Sequence, residues 1–533
     1  MSKLEEAFIS VIVDRSAMAK IFQMADASNL VTELRRNFDA GVTRGYEWRV
    51  TQLKKLLVIC DKHEPEIVSA LHDDLGKPEL ESSVYEVALL RNSIKLALKQ
   101  LKDWMAPHKA KTSLTTFPAS AKIVSEPLGV VLVISAWNFP FSMFEQSLTD
   151  LCITSSLSIL NAFKRHLTIA CFLQVLSIDP VIGAISAGNV VVLKPSELAP
   201  ASSSLLAKLL KQYLDPSAVR VVEGAVTETT LLLEQKWDKI FYTGNSRIGR
   251  IIMTAAAKHL TPVSLELGGK SPVVIDSDTN LKVITVRRII SGKWGCNNGQ
   301  ACISPDYILT TKEYAPKVID ALKKELEAFY GNNPMGSKDT SRIVNLNHFD
   351  RLSKMLEEKE VSNKIVYGGQ KNRENLKISP TVLLDVPLDS LIMSEEIFGP
   401  LLPIVTLNNL EECFGVINSR PKPLAAYLFT KNHKLKKKFT KTVSAGGIVV
   451  NDTAVHFTLP TLPFGGVGES GIGSYHGKFS FDAFSHKKSV LFKSFLGDSA
   501  IRYPPYSRRK LGLLKTLVNS NLVDTFKVLL GLS

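Results

Sequence analysis

Between about Ala25 and Met105 apolar residues recur at helical spacing. Leu53, Leu56, Leu57 and Cys60 form one stripe with charged residues between them, so the stretch predicts helices. A Pro/Ser/Thr-rich stretch from Lys111 to Ser120 breaks the pattern. After it come short β-branched runs at Val130–Ile134, Val190–Leu193 and Ile240–Tyr242, separated by apolar helix-like segments. Runs without polar alternation predict strands buried on both faces, the pattern of a parallel α/β sheet. Ligands of such sheets bind beyond the carboxyl ends of the strands. Three of those ends carry polar groups: Trp137-Asn138-Phe139-Pro140, Lys194-Pro195-Ser196-Glu197 and Thr243-Gly244-Asn245-Ser246-Arg247-Ile248-Gly249. The last leads into a helical run, Ile248 to His259, and so offers backbone N–H groups to an anion. It is neither the Gly-x-Gly-x-x-Gly fingerprint nor a P-loop.

Composition changes this picture in two places. With 45% apolar and 22% charged residues in 533, the chain is a globular protein of several domains rather than a disordered or fibrous one. Its +14 charge is unevenly spread: from Lys487 to Ser533 nine basic residues face two acidic ones, a net +7 in under a tenth of the chain. Within that tail, Lys510 to Leu532 places Leu511, Leu514, Val518, Leu522, Phe526 and Leu529 on one helical stripe, with Lys515, Asn519 and Asp524 largely opposite. A basic amphipathic helix suits an anionic membrane surface, and equally suits packing on the protein itself. Few aromatics accompany the basic residues and no nucleic-acid motif is present, so no nucleic-acid partner is expected. Six scattered cysteines without a Cys-x-x-Cys pair predict neither a disulfide scaffold nor a metal site, and favour a reducing compartment. The start, Met-Ser-Lys-Leu-Glu-Glu, does not read as a secretory signal or transit peptide, and no eighteen-residue apolar window predicts a membrane span.

Farther along stand Leu265-Glu266-Leu267-Gly268-Gly269-Lys270, Cys296-Asn297-Asn298-Gly299-Gln300-Ala301-Cys302, Glu395-Glu396-Ile397-Phe398-Gly399-Pro400 and Leu462-Pro463-Phe464-Gly465-Gly466-Val467-Gly468. Taken singly, a Glu between leucines is ordinarily a salt-bridged helix-edge residue and a Cys a small buried hydrophobe. Together they make a thiolate nucleophile and a desolvated general base conceivable.

In this order the segments resemble the aldehyde dehydrogenase superfamily, specifically its class 3 branch and most closely the plant class 3 enzymes, from about Ala25 to the C-terminus. The resemblance implies an α/β fold: a Rossmann-type parallel-sheet cofactor domain (25–110 and 121–265), an α/β catalytic domain (266–450), and a small bridging β element. The bridging element with the active-site loop region would take 111–120 and 451–490, residues 1–24 forming an extension and 491–533 the tail. It implies Cys302 as nucleophile, Glu266 as general base, and Asn138 with the Cys302 N–H as oxyanion hole. Cofactor-binding residues would be Lys194 and Glu197 at the adenosine ribose, Gly244, Asn245 and Gly249 at the pyrophosphate, and Glu396 with Phe398 at the nicotinamide ribose and ring. Many relatives have Ser where Asn245 stands, and Asn keeps a hydrogen-bonding side chain. The cofactor implied is NAD, which Glu197 favours over a 2′-phosphate, with NADP as the second candidate. No metal ligand is implied. The substrate is expected to be a medium- or long-chain aldehyde such as those from lipid peroxidation, the assembly a homodimer, and the location cytoplasmic. Membrane-directed tails in some relatives extend that to the cytosolic face of a membrane such as the endoplasmic reticulum.

One segment departs from the resemblance. In relatives the Trp-Asn-Phe-Pro-Phe motif runs almost directly into sequence like Leu176–Ala184, whereas here Ser142 to Val175 intervenes. Loop length alone costs little closure entropy. The position matters more, because the Asn138 turn feeds this segment; the alternative expectation is a catalytically impaired isoform that keeps the fold. Its ends are compatible with splice-site sequences, and the hypothesis is an in-frame retained intron. Transcript sequencing across Phe141–Leu176 is expected to find a dominant message lacking the segment; a dominant message with it intact rejects the hypothesis.

Overall fold

The computed structural model describes residues 22–113, 118–141, 178–281, 284–496 and 500–519, together with Thr116, Asp498, Val523, Asp524 and Lys527. The segment Ser142–Val175 and almost all of the 1–24 extension lie outside the described residues. The chain divides into two compact units, one of Met1–Lys99 with Leu128–Phe484, the other of Gln100–Pro127 with Ser485–Ser533.

The first unit holds two large sheets. The six-stranded sheet runs Gly471–Ile472, Val263–Glu266, Lys239–Thr243, Val130–Ile134, Val190–Lys194, Val219–Val221 from edge to edge. Every pair is parallel except Gly471–Ile472 on Val263–Glu266. All three predicted strands are present, one of them a residue longer at one end and another a residue longer at both. Each is buried at every position, as β-branched runs in a sheet covered on both faces should be. Val31, Leu34 and Phe38 of the helix Met24–Asp39 pack with Ile252 and Ala255 of Ser246–Ala257 against Val130, Leu132, Val190 and Val192. Strand order reverses beside Val130–Ile134, whose neighbours are the next strand in sequence and the strand two further on. Crevices for dinucleotides open at such a reversal.

The seven-stranded sheet runs Ile365–Tyr367, Thr381–Leu384, Leu401–Leu407, Tyr307–Thr311, Pro272–Ile275, Ala425–Phe429, Gly447–Val450. It is parallel apart from the first pair. Its core gathers Phe349, Leu352, Met355 and Leu356 of the helix Leu346–Glu357 with Leu309, Leu383, Leu401 and Leu428.

The predicted N-terminal helices are Met24–Asp39, Tyr46–Lys62, Glu64–Leu75 and Leu89–Met105. Within Tyr46–Lys62 the predicted stripe buries Leu53, Leu56 and Cys60. Glu64–Leu75 carries a Pro in its first turn and stops at Gly76, whose φ of +60° is a left-handed cap that glycine adopts without strain. A single π-helical turn, Ser83–Ala88, precedes Leu89–Met105.

The second unit is a three-stranded antiparallel sheet of His108–Ala110, Ala119–Pro127 and Ser485–Lys493, with Ala119–Pro127 in the centre. Its segments therefore extend beyond 111–120 and run past 490, because Ala119 to Pro127 pairs residue for residue with Lys493 to Ser485. The tail forms a helix, Arg508–Val518, capped by the Ser507 hydroxyl accepting from the Lys510 N–H at 3.2 Å. Its buried residue is Leu513, outside the predicted stripe, while Leu511 and Val518 face solvent beside Lys515. Among the described residues no helix is long and apolar enough to cross a membrane.

Candidate active site

The turn Trp137–Phe141 follows Val130–Ile134 and is buried throughout. Asn138 is 1% exposed and its side-chain amide donates to the Gln300 carbonyl at 3.0 Å, two residues before Cys302. The Cys302 loop is made by three successive left-handed residues, Asn297, Asn298 and Gly299, with φ of 47°, 51° and 82°. At Gly299 a Cβ would lie 2.2 Å from the Gly399 carbonyl oxygen, so only glycine permits this approach. The Gln300 amide pins the loop by donating to the Asn297 and Arg342 carbonyls and accepting from the Val344 N–H, at 3.1, 2.9 and 3.0 Å. Cys302 and Cys296 are both buried, and none of the four described cysteines is in a disulfide. Burial pushes the Cys296 thiol far up, which keeps it protonated.

Glu266 ends the strand Val263–Glu266, opposite Thr243 on one side and Gly471 on the other. It is 1% exposed, and neither carboxylate oxygen has a hydrogen-bond partner among the described residues. Burial raises its pKa well above the usual carboxylate range. The Tyr475 hydroxyl, itself raised by burial, lies within the electrostatic reach of Glu266, Asp179 and Cys302. Tyr475 also joins a buried aromatic cluster with Phe464 and Phe457, whose rings contact edge to face at 5.7 and 4.5 Å.

Lys194, Glu197, Gly244, Asn245 and Gly249 follow the carboxyl ends of the first sheet, whereas Glu396 and Phe398 precede the strand Leu401–Leu407 of the second. Lys194 ends its strand and pairs with Glu197 at 2.6 Å, the lysine buried and the glutamate partly exposed. A Cβ on Gly244 would meet the Tyr242 hydroxyl at 2.1 Å, so a larger residue there requires the buried Tyr242 ring to shift. The Asn245 carbonyl of its side chain caps Ser246–Ala257 by accepting from the Ile248 N–H at 3.0 Å, and Gly249 packs against Leu267. Glu396 sits against the Gly268 backbone with one oxygen unpartnered. Burial, reinforced by Asp306, pushes its carboxyl up to about 8. Arg351 holds the neighbouring backbone, donating to the Glu396 and Ile397 carbonyls at 3.1 and 2.5 Å. Phe398 meets Trp137 edge to face at 5.5 Å, which brings the Glu396–Phe398 loop to the Asn138 turn. Orphaned polar atoms at Thr243 and Glu396, the helix N-terminus and the Lys194–Glu197 pair fit a dinucleotide laid across these strand ends.

Sequence reasoning missed the buried charges behind the site. Lys77 and Glu86 form an ion pair with both side chains at 0% exposure, and Glu81 is buried beside them. Nothing in sequence separates these from the 65 basic and 51 acidic residues that are mostly solvated. Asn297 and Gln300 stood inside a quoted motif, but only the tertiary contacts show that they fasten it.

A parallel α/β sheet with polar strand ends, together with a buried cysteine loop and a buried unpartnered carboxyl, defines the class of dinucleotide-dependent enzymes. The family model described as Aldehyde dehydrogenase family matches residues 16–161 and 172–490. The chain belongs to the aldehyde dehydrogenase family, and its reaction is the oxidation of aldehydes. Inside the chain the match omits residues 162–171, which fall within Ser142–Val175. The chain is 78% identical over 517 residues to aldehyde dehydrogenase family 3 member H1 of Arabidopsis thaliana, covering 97% of this chain and 100% of that one. It is 43% identical over 484 residues to the dimeric NADP-preferring aldehyde dehydrogenase of Rattus norvegicus, with coverage of 90% and 98%. The solved structure of the substrate-bound state of Staphylococcus aureus AldH superposes with a TM-score of 0.83 at 38% identity, covering 92% of this chain and 99% of that one.

The Glu396 shift has a stability consequence. A carboxyl raised from 4.5 to about 8 keeps a proton in the folded chain that the unfolded chain has released, so its contribution falls as pH rises through that window. The fall is at most ~1.4 kcal/mol per pH unit. Glu396→Gln is therefore expected to raise the unfolding temperature relative to the unsubstituted chain more at pH 8 than at pH 5; a pH-independent difference contradicts the shift.

Proposed function

We propose that this chain oxidises medium- and long-chain aliphatic aldehydes to carboxylic acids, with Cys302 as nucleophile and NAD or NADP as oxidant. The observation that carries the reading is the hydrogen bond from the Asn138 amide to the Gln300 carbonyl, because it sets an amide donor beside the loop of the nucleophile. The buried aromatic cluster of Phe457, Phe464 and Tyr475, the last within electrostatic range of Glu266 and Cys302, supports an apolar substrate.

The Cys302 sulfur adds to the aldehyde carbon, forming the C–S bond while the carbonyl pair moves onto oxygen. Asn138 and the Cys302 N–H stabilise that oxygen's charge, and one such donor is worth about 10²–10³ in rate. When bound, the oxidised nicotinamide supplies the acceptor for the hydride that leaves the carbon. Lys194 and Glu197 would hold its adenosine ribose, Gly244, Asn245 and Gly249 its pyrophosphate, and Glu396 with Phe398 its nicotinamide end. Glu266 then takes a proton from the water that attacks the thioester, and the acid leaves as the C–S bond breaks and sulfur recovers its electron pair. The raised pKa of Glu266 makes it a stronger base once ionised, so this step quickens as pH rises through its titration. A partly exposed Glu197 beside the ribose favours NAD, because a 2′-phosphate would meet like charge.

Aldehyde-dependent reduction of NAD by this chain tests the reading. Cys302→Ala is expected to lower the rate by at least about 10³-fold, and Glu266→Gln by about 10²–10⁴. Activity that survives Cys302→Ala overturns the assignment; activity seen only after deletion of Ser142–Val175 overturns it for the chain as it stands.

The tail extends the proposal to a membrane surface, on the cytosolic face of a compartment such as the endoplasmic reticulum in an otherwise cytoplasmic homodimer. Support comes from Arg508, Arg509, Lys510 and Lys515 beside exposed Leu511 and Val518, and from Phe495 at full exposure. Flotation with anionic liposomes is expected to carry the full chain and to leave behind a chain lacking Lys510–Ser533, both sedimenting as dimers. Equal flotation of the two rules out the tail as anchor.

A further inference from the structure

Lys77 follows the left-handed cap of Glu64–Leu75, and Glu86 sits in the π-helical turn Ser83–Ala88. Their ion pair is wholly buried, and each partner also bonds the backbone of one turn. The Lys77 ammonium donates to the Asn138 carbonyl at 2.9 Å and lies 3.8 Å from the centre of the Phe139 ring. The second oxygen of Glu86 accepts from the Phe141 N–H at 2.9 Å. One end of the turn is thus held by the cation and the other by the anion.

A second buried carboxylate repeats the arrangement from the cysteine side. Glu81 accepts from the Asn297 N–H at 2.8 Å and from the Ser341 hydroxyl at 3.3 Å. The Asn297 side chain in turn donates to the same Asn138 carbonyl at 3.0 Å. Two donors converge on that oxygen, each secured by its own carboxylate, while the Asn138 amide reaches across to Gln300.

We infer that the Lys77–Glu86 pair is a positioning device for the proposed oxyanion hole, fixing where the Asn138 amide stands relative to Cys302. A buried pair contributes little net stability, since desolvation offsets the attraction, so stability alone gives little reason for it here. Placement gives one. A displacement of about 1 Å in a reacting geometry costs roughly a hundredfold in rate, and the turn Asn138–Phe141 has both ends tied to this pair. The inference rests on the reading of Asn138 as oxyanion donor, so the experiment separates the two.

The test is a double-mutant cycle on aldehyde-dependent NAD reduction. Lys77→Met is expected to lower kcat by about 10- to 100-fold while KM for NAD changes less than about twofold. In an Asn138→Ala background the same substitution is expected to cost less than about twofold, because the amide it positions is gone. Lys77→Met with Glu86→Leu removes both charges and is expected to restore the unfolding temperature without restoring kcat; if the single variant does not fold, this double variant replaces it in the cycle. Unchanged kcat in Lys77→Met, a full additional loss in the Asn138→Ala background, or recovery of kcat in the doubly substituted variant overturns the positioning role. An Asn138→Ala enzyme as fast as the unsubstituted one overturns the oxyanion reading itself.

Discussion

Removal of charge from water where loops of the two large sheets converge is the constraint that shapes this molecule. Glu266 has neither oxygen bonded, Glu396 has one unpartnered, and the Lys293 amine has no partner among the described residues. Burial raises the two carboxyls and pulls Lys293 down to about 8, so groups that solvent would fix in one state are brought toward neutral-range titration. Such shifts favour the neutral form and cost the folded state at working pH, and the surrounding apolar strands, buried at every position, offset that cost. Other buried charges are matched: Lys77 with Glu86, and Lys270 with Asp306 at 2.6 Å plus the Ile392 and Glu395 carbonyls. Two of the three unmatched groups, Glu266 and Glu396, are residues proposed to move a proton or hold the cofactor, whereas the matched ones fasten loops.

Fastening is needed because the site is assembled from loops. The Asn138 turn comes from one sheet and the Cys302 and Glu396 loops from around the other, and a hydrogen bond or ring contact ties each to the next. Close backbone approach makes this geometry narrow. The Gly299 loop lies against the Gly399 carbonyl, and the Gly268 backbone against the Glu396 carboxyl, where a Cβ would sit 2.1 Å from an oxygen. Dispersed local restraints thereby hold a site to tolerances that a loop closed only by chain entropy could not reach.

Much of this was legible before the fold. The β-branched runs marked strands within one residue of their ends, because full burial on both faces leaves no polar position to confuse the reading. Strand-end polar groups pointed to the crevice, since open parallel sheets place ligands there. The three-stranded sheet was harder: Ala119–Pro127 is mostly half-exposed, so its pairing with Ser485–Lys493, distant in sequence, has no strong hydrophobic signature. In the tail, the described stripe residues Leu511 and Val518 are exposed. Period alone selects a stripe but not the face a helix buries, and Leu513 is the residue covered.

The sequence by itself determined the parallel-sheet class, the order of the motifs and the residue types available for chemistry, because those follow from local periodicity and from spacing along the chain. Only the tertiary structure decided that Lys77, Glu81 and Glu86 stand behind the Asn138 turn rather than in solvent. A charged residue carries no local mark of its burial. Whether it is solvated, paired or left alone depends on which distant backbone arrives beside it, as the Asn138 carbonyl arrives beside Lys77.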